Sequence, residues 1–380
     1  MSDLILLMRR RRRAPLRLIS RGSLGPGALP GAAIRASVGS YVAPDEATVL
    51  YATENVPRFQ GAPRRLLMEP PRQSIFRYSQ DFAQSAWILQ NGPAKSATNG
   101  LAPDGTASAL ALQFGGAGNS QMVQAIGTPA NGTWTISAWA RAPVEQTFRF
   151  KIYNASSDVY STGIRVTPEW QRYFFTFTSN FGASNAGVAN AGGGGARQVE
   201  FWGMQLEQGA SASSYIPTGA DAATRAMDVL NFAIPSAQQR GTVVGTAMFP
   251  ADTPASAYLG LFCLDSGGNT NRSYIAKEVG GNTIVFGRAG TGGGQFNMAT
   301  IQPGVPFPYA IGWDVVTGAV RASIAGSPVQ GFTGTTLANR FLIGNGHPGL
   351  NSPASAEFGI HDLYPGVLLP DEQLQALRAA

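Results

Sequence analysis

The strongest constraint on this chain is its punctuation. It holds 47 Gly and 25 Pro. Between their clusters lie short β-branched and aromatic segments rather than long Ala/Leu/Glu/Lys runs. Gly and Pro are unfavourable in helix interiors, whereas short apolar segments bounded by turn residues read as strands. "TWTISAWARA" (133–142) is the clearest of these. Its alternation puts Trp134, Ile136 and Ala138 on one face and Thr135, Ser137 and Trp139 on the other. "FRFKIYN" (148–154), "QRYFFTFTS" (171–179) and "RQVEFWGMQLE" (197–207) are three more. The expectation is an all-β protein, and 380 residues are too many for one ordinary domain.

Composition divides the chain further. Residues 1–35 read as a basic anchoring arm: "LILLM", then Arg9, Arg10, Arg11, Arg12 and Arg13, then "GSLGPGALPG". The arm carries eight Arg and one Asp, a net +7; the whole chain is +6, so the remainder sums to −1. Such a run can dock on a protein partner, grip phosphates or stay solvated. No aromatics interleave with it, which argues against nucleic acid. Residues 36–72 read as a collar or connector, where Pro57, Pro63, Pro70 and Pro71 prevent a regular helix. Residues 73–218 form the first β domain, opened by "SQDFAQSAW" (79–87) as one helical turn with Ser79 capping it and Phe82 and Trp87 turned inward. Residues 219–240 read as a linker or short helical crossover. Residues 241–380 form a second sandwich of about eight strands, from "TVVGTAMF" (242–249) to "EFGIHDLY" (357–364). It ends in a helix that starts near Pro370, Asp371 and Glu372, with Leu374 and Leu377 on one face.

Reactive groups are sparse. Cys263 is the only cysteine, so no intrachain disulfide or Cys-based metal site is available. Its neighbours "LGLFCLD" mark it as a buried apolar side chain. His347 sits in the turn-like "GNGHPG", and His361 adjoins Asp362 on a strand, where adjacent side chains face opposite ways. Both histidines read as structural. Asp104, Glu169, Glu200, Glu207, Asp265, Asp314 and Asp362 are scattered, so a glycosidase pair is not legible. No cofactor is implied; a structural Ca²⁺ on a loop is compatible with the Asp and Asn content, without nameable ligands. No apolar run reaches the roughly 20 residues of a bilayer span. The N-terminus has its apolar residues before its charges, the reverse of a secretory signal, so the expectation is synthesis in the cytoplasm without secretory export. Sugar binding needs exposed aromatics; the candidates are Trp139, Tyr153, Tyr173 and Trp313. On "FWGMQLE", Trp202, Met204 and Leu206 are expected in the core, with Gln205 and Glu207 on the opposite face, open to a subunit contact or ligand.

Three stretches resemble modular tail and fibre proteins of tailed bacteriophages: "PRRLLMEPPRQSIFRYSQDF...W" (63–87), "PEWQRYFFTFT" (168–178) and "VEFWGMQLEQGASASSYIPT...ATRAMD" (199–228). In those proteins the first leads into a carbohydrate-binding-module-like jelly roll and the last closes it. Residues 241–380 resemble a laminin-G or concanavalin-like lectin sandwich in strand rhythm and in the ending "FGIHDLYPGVLLPDEQLQAL". The expected fold class is therefore all-β, with tandem jelly-roll and lectin-like sandwiches, an extended basic N-terminal arm and a short C-terminal helix. The resemblance implies a non-enzymatic virion structural protein, a tail fibre or receptor-binding appendage. Its arm would hold other virion proteins, its sandwiches would contact host surface glycans, and it would assemble as a homotrimer. A head fibre or spike, a structural virion adaptor without glycan binding, and a glycan-degrading enzyme are the alternatives.

Overall fold

The structure is a computed structural model. It describes residues 15–376 except 22, 25–30, 98, 155, 181–183, 193–195, 236–238, 251–257, 269, 271, 291, 335–337, 348 and 350–353; for 31–34 and 184 it describes the backbone alone. Among the described residues the chain is almost entirely β, with one short C-terminal helix, Asp371–Ala376. It divides into two compact units. The first comprises 37–53 and 71–226; the second comprises the described residues up to 36 together with 54–70 and 227 onward. Each is a β-sandwich.

In the first unit, a five-stranded sheet runs in the order Ala94–Lys95, Leu110–Phe114, Arg197–Gln208, Gly132–Arg141, Gln171–Ser179. A six-stranded sheet runs in the order Ser157–Tyr160, Gln146–Asn154, Ser184–Asn190, Gln121–Gly127, Trp87–Gln90, with Ile164–Val166 also paired to Gln146–Asn154. Alternation makes the core. Ile136 and Met204 from one sheet and Met122, Phe150 and Val188 from the other are all fully buried in one cluster. Phe148 meets Phe201 edge-on at 5.0 Å between ring centroids, within the favoured range for aromatic pairs. Phe82 and Trp87 do turn inward, 5.2 Å apart. The segment carrying them forms turns rather than a helix, and Ser79 uses its hydroxyl on Tyr215 and Thr218 instead of capping.

In the second unit, a nine-stranded sheet contains the path Ser23–Leu24, Leu16–Ser20, Ala356–Pro365, Arg240–Met248, Phe307–Asp314, Ala319–Ile324, Gln330–Phe332. The facing sheet runs Gly294–Thr300, Thr283–Arg288, Ser273–Lys277, Leu259–Asp265, Arg340–Ile343, Val229–Ala233, Gly31–Ile34. Phe341 stacks between Phe232 (4.9 Å) and Phe262 (5.5 Å), and Trp313 from the other sheet closes on it at 5.8 Å. Leu374 of the terminal helix is buried as expected; Leu377 lies outside the described residues.

Part of what reads as an arm is folded. Leu16–Ser20 pairs with Ala356–Pro365, Leu18 and Ile19 are fully buried, and Arg17 forms an ion pair with Asp362. The segment read as a linker also contributes strands. Val229–Ala233 is hydrogen-bonded on both sides, and Leu230 and Phe232 enter the core. The stretch 36–72 divides between the units. Its Arg58 is fully buried in the second, paired with Glu69 (2.8 Å) and Asp228; Arg35 reaches the same Asp228 at 2.9 Å. These charges are a structural cluster, mutually compensated as buried charges must be.

Candidate functional site

One face of the first unit is closed by the chain itself. Gly203 sits at φ +62°, inside a bulge where Trp139 pairs with Trp202 and Ser137 pairs with Gln205. The extra residue resets the alternation. Phe201, Met204 and Leu206 point into the sandwich core, while Trp202 points to the opposite face. There Trp202, Trp139 and Tyr215 form a second small core with Val49, Ala102 and Ala109. The Trp202 and Tyr215 rings are 4.7 Å apart. A Cβ on Gly203 would lie 3.3 Å from the Tyr215 ring, so glycine serves both the backbone and the packing.

Gln205 and Glu207 lie on this covered face and are fully buried. Glu207 accepts from the Ser213 amide (2.8 Å) and hydroxyl (2.7 Å). Gln205 donates to Glu207 (2.6 Å) and accepts from the Ile216 amide (2.7 Å). Tyr215 bonds Ser79 at 2.6 Å, and burial pushes its hydroxyl well above the ordinary value. The "SSYIPT" segment is thus clamped over the sheet. Neither Gln205 nor Glu207 is open to a subunit or ligand, because the chain's own amides and hydroxyls occupy them.

The outer face of the six-stranded sheet is different. Directly opposed residues on antiparallel strands share a face, and the register gives two rows. One row is Tyr160, Lys151, Gly187, Val123 and Ile88; the other is Arg149, Ala189, Gln121 and Gln90. Beside them Asp158 opposes Tyr153. Small residues at Gly187 and Ala189 lie between longer side chains, forming a trough with a buried floor. Its rim holds half-buried Tyr153, Tyr160 and Arg149 and an Ile88 that is 44% exposed. Gly187 is required there: a Cβ would sit 2.0 Å from the Met122 carbonyl oxygen.

Polar groups on this face are organised. Lys151 pairs with Asp158 (2.8 Å), donates to Asn185 Oδ1 (2.5 Å), and lies 5.6 Å from the Tyr153 ring centroid. Tyr160 donates to Asp158 at 3.0 Å; burial first, and then Asp158, raises its hydroxyl pKa. The Arg149 guanidinium lies 3.6 Å above the Tyr160 ring and donates to the Gly118 carbonyl at 2.7 Å. Gln121 donates to Gln90 Oε1 at 2.6 Å. Apolar rings with a few directed polar groups are the chemistry of small-ligand sites.

The four aromatics singled out by sequence part company here. Trp139 and Trp313 are each 2% exposed and sealed in cores, so neither has a free face to offer a ligand. Tyr173 is half-buried, held edge-on against Phe148 at 6.1 Å, with its hydroxyl donating to Gln171 Oε1 at 2.9 Å. Tyr153 alone belongs to the trough. Sequence missed Arg149, Tyr160, Gln121 and Ile88. The available signal was the alternation of "FRFKIYN", whose Phe148, Phe150 and Ile152 face inward and leave Arg149, Lys151 and Tyr153 outside. Arg9, Arg10, Arg11, Arg12 and Arg13 lie outside the described residues.

Most of the scattered carboxylates have structural work. Glu200 pairs with Arg141, Asp265 with Arg340, Asp314 with Arg240 and Asp362 with Arg17, while Asp104 holds Thr106. His361 is fully buried, hydrogen-bonded to Tyr309 (2.7 Å) and to the Gly359 carbonyl (3.0 Å). His347 accepts the Gly349 amide within its turn. Cys263 is fully buried, and burial raises its thiol pKa. Among the described residues no group of three or more His, Cys, Asp or Glu is placed to hold a metal ion, and no helix is long and apolar enough to cross a membrane.

Residues 78–190 match a family model described as a carbohydrate binding domain. The match spans every strand of the six-stranded sheet. No curated protein matches the chain. Among solved structures the chain is similar to the tandem CBM22-1–CBM22-2 domain of Paenibacillus barcinonensis Xyn10C, at 9% identity over 79% of this chain and 99% of that one, with a TM-score of 0.31. It is similar to the CBM40 of Ruminococcus gnavus IT-sialidase bound to α2,3-sialyllactose at 15% identity, over 37% of this chain and 82% of that one, with a TM-score of 0.29. Mouse laminin α1 chain domains LG4-5 give 10% identity, coverages of 76% and 98% and a TM-score of 0.21. At these scores the structural likenesses carry no argument about ligands.

Proposed function

We propose that this chain is a non-catalytic glycan-binding protein whose binding face is the outer side of the six-stranded sheet of residues 87–190. The carrying observation is the trough itself. It puts Tyr153, the Tyr160–Arg149 pair and the amides of Gln121 and Gln90 on one face of the sheet, which so carries sugar-compatible apolar and polar groups together. The carbohydrate-binding family match over the same residues supports it. Ring faces take the C–H side of a pyranose, and the amides and cations take its hydroxyls.

The setting we propose is a phage appendage, tail fibre or head spike, anchored by the basic N-terminus and trimeric, so that avidity compensates for weak single sites on host glycans. That setting rests on the sequence resemblance of residues 63–87, 168–178 and 199–228. The full chain screened on a printed glycan panel, alone and as an engineered multimer, tests the binding. Saturable capture of a defined saccharide is expected. No capture in either form removes the reading.

A further inference from the structure

The trough contains one charge that the protein leaves unanswered. Lys151 is balanced by Asp158 at 2.8 Å. Arg149 has no ion pair among the described residues: its fixed partners are the neutral Gly118 carbonyl and the Tyr160 ring, and its Nε is buried without an acceptor. Those partners hold the guanidinium without cancelling its charge. A cation immobilised in this way loses little freedom when it captures an anion.

A second unanswered group lies in the same row. Gln121 is 5% exposed, and its amide donates to Gln90, leaving its buried Oε1 with no donor among the described residues. Ala189 is the register partner of both Arg149 and Gln121 and puts only a methyl between them. Two strand spacings separate the two backbones, about 10 Å. A cationic donor and an orphan acceptor therefore share one row of this face, on either side of the Ala189 methyl, which is itself fully buried.

We propose that this face takes a carboxylated saccharide, with the sugar's carboxylate on Arg149 and a ring hydroxyl donating to Gln121 Oε1. The proposal rests on the reading of this face as the glycan site and adds the charge class of the ligand. Neutral glycans would leave Arg149 as uncompensated in the complex as in the free protein. A carboxylate supplies a charge-assisted bond, the stronger kind.

The test uses the full chain and a panel of uronic-acid- and sialic-acid-containing oligosaccharides, each also presented as its methyl ester, together with neutral oligosaccharides. Esterification removes the charge and keeps the ring. The acids are expected to bind about ten- to a hundred-fold more tightly than their esters, the loss typical of removing a hydrogen bond to a charged group. Arg149→Gln should bring acid binding down to the ester level, while Arg240→Gln, which removes the same charge from the second unit, should leave it unchanged. Equal binding of acids and esters, or preference for neutral glycans, overturns this inference and leaves the glycan reading intact. Binding of none of the panel overturns both. Should Arg149→Gln fail to fold, as judged by its melting curve, the acid-to-ester comparison on the unaltered chain still decides.

Discussion

His361 makes the second unit acid-sensitive in a calculable way. Its ring is fully buried against Gly245, where a Cβ would lie 2.2 Å from the imidazole. Because the Gly359 carbonyl can only accept, Nδ1 carries the proton and Nε2 accepts from the Tyr309 hydroxyl. Burial lowers the pKa from 6.5 to about 4. In the unfolded chain the ring takes a proton near its ordinary value of about 6.5. The stability due to the neutral buried ring is therefore fully present above that value, falls as the pH drops from 6.5 towards 4, and falls no further below it. At 1.36 kcal/mol per unit, that window corresponds to a loss of roughly 3 kcal/mol. Hydrogen exchange of the strand Ala356–Pro365, corrected for intrinsic rates, reads the opening free energy of this unit. Between pH 7 and pH 4.5 the unaltered chain should lose that protection more steeply than His361→Gln, which cannot titrate. Parallel loss in the two proteins would refute the reasoning, because carboxylates common to both would then account for it.

Other consequences follow from single contacts. Gly203→Ala places a side chain at φ +62° against Tyr215 and should cost about 1–2 kcal/mol, a fall of several degrees in Tm. Arg58→Met removes the 2.8 Å partner of Glu69 and one arginine partner of Asp228; urea unfolding should show a loss of about 3–5 kcal/mol. Glu207→Ala removes both bonds to Ser213 and should speed hydrogen exchange at Ser213 and Ile216 while the strand Leu110–Phe114 stays protected.

The strands of the second unit were legible because they are long and bounded by turn residues. "EFGIHDLY" (357–364) sits within Ala356–Pro365, and "FPYAIGWDV" (307–315) coincides with Phe307–Asp314 to within a residue. Short strands were not. Val229–Ala233 carries the alternation of Leu230, Phe232 and Ile234, but an Ala/Asp-rich approach hid it, and its strand state comes from two neighbours far away in sequence. Leu16–Ser20 was masked by the arginines around it. The face of Trp202 was misplaced because a bulge at Gly203 breaks the period of two, and a glycine in a strand does not announce a bulge by itself. Trp139 failed as a ligand residue for a related reason. Alternation separates two faces, but which of them the chain will cover depends on where residues 209–218 return. The trough was missed because its parts come from separate strands and only register brings them together.

The most direct test of the account is calorimetric titration of a captured saccharide into the full chain and two single variants. Tyr153 lies in the trough, whereas Phe174, 55% exposed on the edge strand Gln171–Ser179, lies on the other sheet. Tyr153→Ala should weaken binding about tenfold, the scale of one lost ring contact, and Phe174→Ala should leave it unchanged. Unaltered affinity in Tyr153→Ala with loss in Phe174→Ala would place the ligand elsewhere and contradict the assignment of the six-stranded face.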